Sequence, residues 1–207
     1  MKKQSLQFPL SLLALLVALF AISCKDNSPD PASPAGINTE YDNVKYAIKN
    51  GFMHDGGPMD YFMDDEAENK THYNYSFIMT DGTPIFEGED VVRMDDGEII
   101  ILAVLLSPGS SGFKTGTFEY ANWLGDEELG EEELETKYRN KYFFPFAYVI
   151  TDKDKDKNWE EETGAMVTGG TIKVSGTPSN YTLEYDLTLE GNKTLKGKFT
   201  GKFKVVQ

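Results

Sequence analysis

The C-terminal stretch constrains the fold most. Tyr181, Leu183, Tyr185, Leu187 and Leu189 alternate with Thr182, Glu184, Asp186, Thr188 and Glu190; Leu195, Gly197, Phe199, Gly201, Phe203 and Val205 then alternate with lysines and Thr200. A period of two is a strand with one apolar and one wet face, and a helix cannot use it. The two segments read as an antiparallel hairpin, in which opposed residues share a face. A two-residue loop at Gly191-Asn192 sets Leu187 against Lys196 and fails that test. A three-residue loop, Glu190-Gly191-Asn192, sets Leu187 against Leu195, Leu183 against Phe199, Glu184 against Lys198 and Asp186 against Lys196. It also puts Asn192 where a left-handed residue is wanted and lays the Tyr185 ring across bare Gly197.

Upstream, residues 99–106 are apolar on both faces and run into Ser107-Pro108-Gly109, the pattern of a central strand. Further strand faces come from Tyr73, Tyr75, Phe77 and Met79, from Phe118 and Tyr120, from Phe144, Phe146, Tyr148 and Ile150, and from Ile172 and Val174. Weaker segments lie at 44–48 and 91–94. Thirteen Phe, 11 Tyr and 19 Gly supply strand formers and turn formers. The expectation is one all-β domain over residues 41–207. It is an antiparallel β-sandwich or a closed barrel of roughly eight to ten strands, ending in the C-terminal hairpin.

The N-terminus follows other rules. Lys2 and Lys3 precede an apolar run over residues 10–22, which is 13 residues long against the roughly 20 needed to span a bilayer. The run closes on Ala21-Ile22-Ser23-Cys24, and here the chain resembles a bacterial lipoprotein signal, with Ala21 standing where Leu is usual. The resemblance implies removal of residues 1–23 and lipid on Cys24. Lys25-Asp26-Asn27 is similar to the short Lys-acidic signals that follow this cysteine in surface-exposed lipoproteins of Bacteroidota-type bacteria. That implies outer-membrane attachment, facing the exterior. Residues 24–40 contain Pro29, Pro31 and Pro34 and read as a tether reaching roughly 3 Å per residue. Residues 170–174, 181–189 and 197–201 resemble the closing strands of lipocalin-like domains in lipoproteins of the same bacteria, which implies a fold and a location more than an activity.

Cys24 is the only cysteine, so no intramolecular disulfide is available and stability must come from the core. Of 20 Lys and Arg, Lys2 and Lys3 lie in the signal, leaving 18 against 34 acids. That field repels nucleic acid and anionic membrane surfaces, so membrane attachment rests on the lipid.

Asp152, Asp154 and Asp156 have the spacing that opens a calcium loop, but Lys157 stands at the turn position where glycine belongs and Thr163 where a bidentate Glu belongs. A solvated hairpin loop is the plainer reading. The acidic run at 126–135 reads by default as a mobile surface loop. Trp123 and Trp159 flank acidic segments, as aromatic platforms in sugar-binding clefts do, although rings more often pack. Two histidines, no zinc pattern and no poised nucleophile argue against an enzyme. The expected function is a lipid-anchored binding or accessory module for an extracellular glycan, peptide or partner protein. The alternatives are a lipocalin-like carrier with a hollow interior lined by Tyr75, Phe77 and Phe146, a structural surface protein, and a glycoside hydrolase.

Overall fold

Alternating burial over residues 180–201 and burial on both faces over residues 99–107 build a β-rich domain. The computed structural model describes residues 38–206, apart from 62, 64, 65, 88, 89, 127, 153–163 and 179; the side chains of residues 84, 86, 87, 90–93, 123, 124 and 131 are also outside that description. The strands are β1 (Thr39–Tyr41), β2 (Val44–Tyr46), β3 (Asn50–Met59), β4 (His72–Thr80), β5 (Thr83–Glu87), β6 (Asp90–Asp95) and β7 (Ile99–Pro108). Then come β8 (Gly116–Tyr120), a 3-10 turn (Trp123–Asp126), helix α1 (Glu131–Tyr138), β9 (Phe143–Thr151), β10 (Ala165–Thr177), β11 (Asn180–Leu189), β12 (Lys193–Gly201) and β13 (Phe203–Val206). Eleven strands form one strongly curled sheet, a half-barrel, in the order β13-β3-β4-β7-β9-β8-β10-β11-β12-β1-β2, while β5 and β6 pair only with each other. Most pairings are antiparallel, as expected, but β8–β9 and β13–β3 are parallel. Parallel neighbours need a crossover, and α1 lies on the one between β8 and β9.

The hairpin register is the one that face-sharing requires: Leu187 opposes Leu195, Leu183 opposes Phe199, Glu184 opposes Lys198 and Asp186 opposes Lys196. Asn192 has φ +58°, and a Cβ on Gly197 would lie 2.8 Å from the Tyr185 ring. Strand β7 is central, between β4 and β9. Its Ile99, Ile101, Ala103 and Leu105 enter the main core, while Leu102 packs on the opposite face.

The main core draws on both ends of the sheet at once. Phe77 of β4, Phe118 of β8, Leu183 of β11, Leu195 and Phe199 of β12 and Phe203 of β13 are each at most 2% exposed and form one cluster. Only a curled sheet brings these strands together, so this cluster is the filling of its concave side.

Four features depart from the sequence reading. Strand β3 is absent from it, because Asn50-Gly51 and Gly56-Gly57-Pro58 look like turns. A Cβ on Gly51 would sit 2.7 Å from the Phe199 and Phe203 rings, and Gly57 at φ +75° follows a bulge between Asp55 and Gly57. Second, the alternation at 195–205 is not one strand. It breaks at Lys202, and β13 crosses to pair with β3, burying Val206 and leaving Val205 49% exposed. Third, β9 switches faces at Pro145: Phe144 and Pro145 both oppose Leu105, so Phe144, Ala147 and Val149 point inward while Phe146 and Tyr148 pack outside. A proline, lacking an N–H, suits such a bulge. Fourth, Thr39 and Glu40 are paired strand residues rather than tether.

Candidate functional site

Three connections meet at the end of the half-barrel where β3 and β7 finish and β4 and β9 begin: residues 60–71, 109–115 and 121–142. They are stitched together. Gly109 N–H donates to the Thr71 carbonyl at 2.8 Å, and His72, opposite both Met59 and Pro108, lies 3.2 Å through Nε2 from the Lys141 carbonyl.

Helix α1 covers the convex wall here. Leu134 and Tyr138, four residues apart on one face, pack against Met59, Leu106, Ala121 and Phe143. The acidic run at 126–135 is therefore not a loop throughout. Tyr138 lies beyond that window and supplies the second anchor. Glu133 caps the helix by accepting from the Gly130 N–H at 3.1 Å. Asp126, 9% exposed, accepts from Lys137 Nζ at 2.6 and 2.7 Å and from the Tyr138 hydroxyl. The Lys137 ammonium first, then the Tyr138 hydroxyl, hold its carboxyl below the usual range. Burial first, then Asp126, push the Tyr138 hydroxyl far up.

A folded value below the ordinary one of about 4 means that the unfolded chain takes up the proton first as pH falls. This contribution is complete above that ordinary value and disappears as pH drops through the folded one. Asp126→Asn is expected to cost about 1–2 kcal/mol at pH 7, the lower part of the range for charged hydrogen bonds because Lys137 is half-exposed. The variant should also lose less stability than the parent between pH 5 and pH 3 in urea unfolding. Equal losses would show that Asp126 does not couple α1 to pH.

Between α1 and the β3–β4 connection lies a cleft of about 210 Å3 lined by Asp60, Tyr61, Ala67, Glu68, Asn69, Thr71 and Glu135. Tyr61 stacks on Tyr138, with ring centroids 6.0 Å apart and planes at 19°. Behind Thr71, His72 is fully buried and meets Phe143 edge-on at 5.1 Å. Since a carbonyl only accepts, Nε2 carries the His72 proton, and Nδ1 accepts from the Thr71 hydroxyl at 2.9 Å. Burial lowers the pKa of this imidazole. It is a neutral strut under the cleft, holding Thr71 in place.

Chemically the cleft offers the carboxylates of Asp60, Glu68 and Glu135, the last paired with Arg139 at 2.8 Å, the Asn69 amide and the Thr71 hydroxyl beside Tyr61, whose ring is backed by buried Tyr138. That set accepts hydrogen bonds from hydroxyl or ammonium groups and gives an apolar ring face to a C–H surface. Its volume is below the roughly 300–1,000 Å3 of drug-sized sites, so it fits one unit of a larger molecule. Sequence reasoning assigned none of these residues to a site, although Glu135 closes the acidic run at 126–135. Asn69 carries no signal of its own, and Glu135 joins Asp60 in the lining only through the crossover.

Of the residues that the sequence singled out, Asp152 and the backbone of Trp123 are described, at opposite ends of the sheet. Trp123 opens the 3-10 turn that Asp126 ties to α1, but its ring lies outside the described residues, as do Trp159, Asp154, Asp156 and Cys24 entirely. Asp152 follows β9 at the far end of the sheet, buried, its N–H donating to the Glu98 carbonyl at 3.1 Å. Among the described residues no cluster of three or more His, Cys, Asp or Glu could hold a metal, and no helix is long and apolar enough to cross a membrane. Of the rings expected to line a hollow interior, Tyr75 and Phe77 do face inward, but Phe146 packs on the other face beyond the Pro145 bulge. The concave side is packed with side chains rather than open. On the convex face of β11 and β12 the charges are paired, Lys196 with Asp186 and Lys198 with Glu184, both at 3.1 Å. Comparison of the chain with protein-family models, curated proteins and solved structures found no match.

Proposed function

We propose that this chain is a lipid-anchored binding module of the outer membrane, held by lipid on Cys24, whose β domain takes one unit of an extracellular glycan in the cleft between α1 and the β3–β4 connection. The observation that carries the reading is the cleft itself: Tyr61 stacked on Tyr138, beside the carboxylates of Asp60, Glu68 and Glu135. Sugars present hydroxyl donors and flat C–H faces together, and this is the surface that matches both. The filled concave side weighs for a surface site over a carrier of the hollow lipocalin kind. A closed lipocalin-like barrel is the finer architecture we infer, because residues 47–49 and Lys202 carry the chain directly between the two edges of the sheet.

The thermal midpoint of the full chain in detergent tests this against a panel of glycans, with and without calcium. A ligand at about 100 times its Kd adds about 2.7 kcal/mol to the native state. The expected result is a rise with one sugar class, abolished in Glu135→Gln. A rise with calcium alone would relocate binding to Asp152 and its neighbours. No response to any glycan would refute the glycan reading and leave a protein partner. The anchor is tested separately: Cys24→Ser should leave the membrane fraction, and retention there would sink the lipid assignment.

A further inference from the structure

One ring in the concave core is not built into the wall. Phe113 comes from the β7–β8 connection, residues 109–115, and is only partly buried, whereas Phe77 and Phe118 beside it are fully buried. It lies between two parallel rings, Tyr75 at 4.4 Å with planes at 11° and Phe118 at 5.6 Å with planes at 4°. Phe77 at 5.9 Å and Tyr181 at 6.4 Å close the sides with their edges. The walls of this slot are therefore strand residues of β4, β8 and β11, and its content is a loop residue.

The loop is loosely held. Its described hydrogen bonds fix the ends only, Gly109 N–H to the Thr71 carbonyl at 2.8 Å and Lys114 N–H to Ser107 Oγ at 3.0 Å. Ser110 and Ser111 are exposed, Gly109 and Gly112 have φ of +95° and +152°, and a Cβ on Gly112 would meet nothing within 4 Å. Swinging the ring out breaks stacking contacts but no ladder. A carboxylate stands at the rim, while exposed Lys114 turns its ammonium back toward Gly109: Asp55, exposed on β3, accepts from the Tyr73 hydroxyl at 3.2 Å, and Tyr73 stands edge-on to Tyr75 at 5.9 Å. Its charge also reaches inward, contributing after burial to the raised pKa values of Tyr75 and Tyr181.

We propose that Phe113 is the resident occupant of a second binding site, and that a small planar aromatic amine displaces it, stacking between Tyr75 and Phe118 with its cationic group toward Asp55. Parallel faces one ring apart select flat rings, and the rim carboxylate selects positive over negative charge. The proposal is independent of the glycan cleft, which lies on the convex side. Because Phe113 competes for the slot, the apparent affinity is reduced by the fraction of time the slot stands open.

The test places 4-fluorophenylalanine at position 113 of the full chain in detergent and follows its fluorine resonance while tryptamine or indole-3-propionate is added. These probes share a ring and differ in charge. Tryptamine is expected to move the resonance saturably toward its solvent-exposed value, with indole-3-propionate about fivefold weaker. Asp55→Asn should erase that preference. Phe113→Ala should tighten tryptamine binding about tenfold, whereas Phe118→Ala, which removes a wall, should weaken it. A resonance that does not respond to tryptamine overturns the proposal, even if Phe113→Ala then binds the ring, since that would be an ordinary engineered cavity. Equal responses to both probes overturn the assigned charge class. If Phe113→Ala fails to fold, the titration of the fluorinated parent decides alone.

Discussion

Replacing Phe77 with alanine is expected to lower the free energy of unfolding by about 3–5 kcal/mol, a large part of what a domain of this size has. The ring is fully buried and meets Tyr75, Phe113, Tyr181 and Phe203 at centroid distances of 6.0, 5.9, 5.7 and 5.2 Å. Those partners sit on β4, the β7–β8 connection, β11 and β13, so the ring ties together strands far apart in the sheet order. Tyr75, Tyr181 and Phe203 stand on strands of the curled sheet and cannot collapse far into the void, which adds a cavity cost to the lost transfer energy. Urea unfolding followed by near-ultraviolet circular dichroism measures the loss. Val205→Ala, at a half-exposed position, should stay within about 0.5 kcal/mol. A loss below about 1.5 kcal/mol for Phe77→Ala would mean that the concave core is looser than described.

Gly170→Ala should cost about 3 kcal/mol or more. Gly170 lies just after the bulge in β10 at φ +108°, and a Cβ there would fall 2.2 Å from the Asp186 carbonyl oxygen and 2.7 Å from Leu187 Cα. Both obstacles are backbone atoms of β11, so no change of rotamer relieves them and the ladder itself must open. The left-handed conformation costs roughly 1–2 kcal/mol for an L-residue, and forced overpacking typically costs about as much again. Gly191→Ala separates the two contributions: Gly191 has φ +70° with nothing within 4 Å, so only the conformational cost of about 1 kcal/mol remains. Equal losses for the two variants would show that the close approach of β10 and β11 is not what requires glycine at 170.

The parts of the fold legible in the sequence were those where one local rule had one answer. In the β11–β12 hairpin, strict alternation, opposed charges and an Asn in a tight loop all select one register, and β7 announces its central place by being apolar on both faces. Where glycine or proline serves packing instead of turning, the local signal points the wrong way. Gly51 in β3 is small because two phenylalanine rings cross it, and Pro145 in β9 marks a bulge that puts Phe144 and Phe146, expected on one face, on opposite faces. Helix α1 escaped notice because charge dominates its first turns, while the anchors Leu134 and Tyr138 act only against partners from β3, β7 and β9. The cleft was invisible for the same reason. Asp60, Glu68 and Glu135 are ordinary acids in sequence, and their meeting is a property of the crossover.

The order in which the sheet pairs also sets a timetable. β1 pairs with β12, Thr39 against Gly197, and β3 pairs with β13, Gly51 against Phe203. The first strands to leave the ribosome thus wait for the last, a delay of roughly 10–30 s at ordinary elongation rates of about 5–20 residues per second. Until β13 is free, no nascent length can hold the whole sheet. Completion of the sheet therefore waits for β13 and is dominated by distant contacts, and is slow for that reason. The interval is a window in which the chain stays open to capture by a chaperone, and the pairing of early with late strands prolongs it.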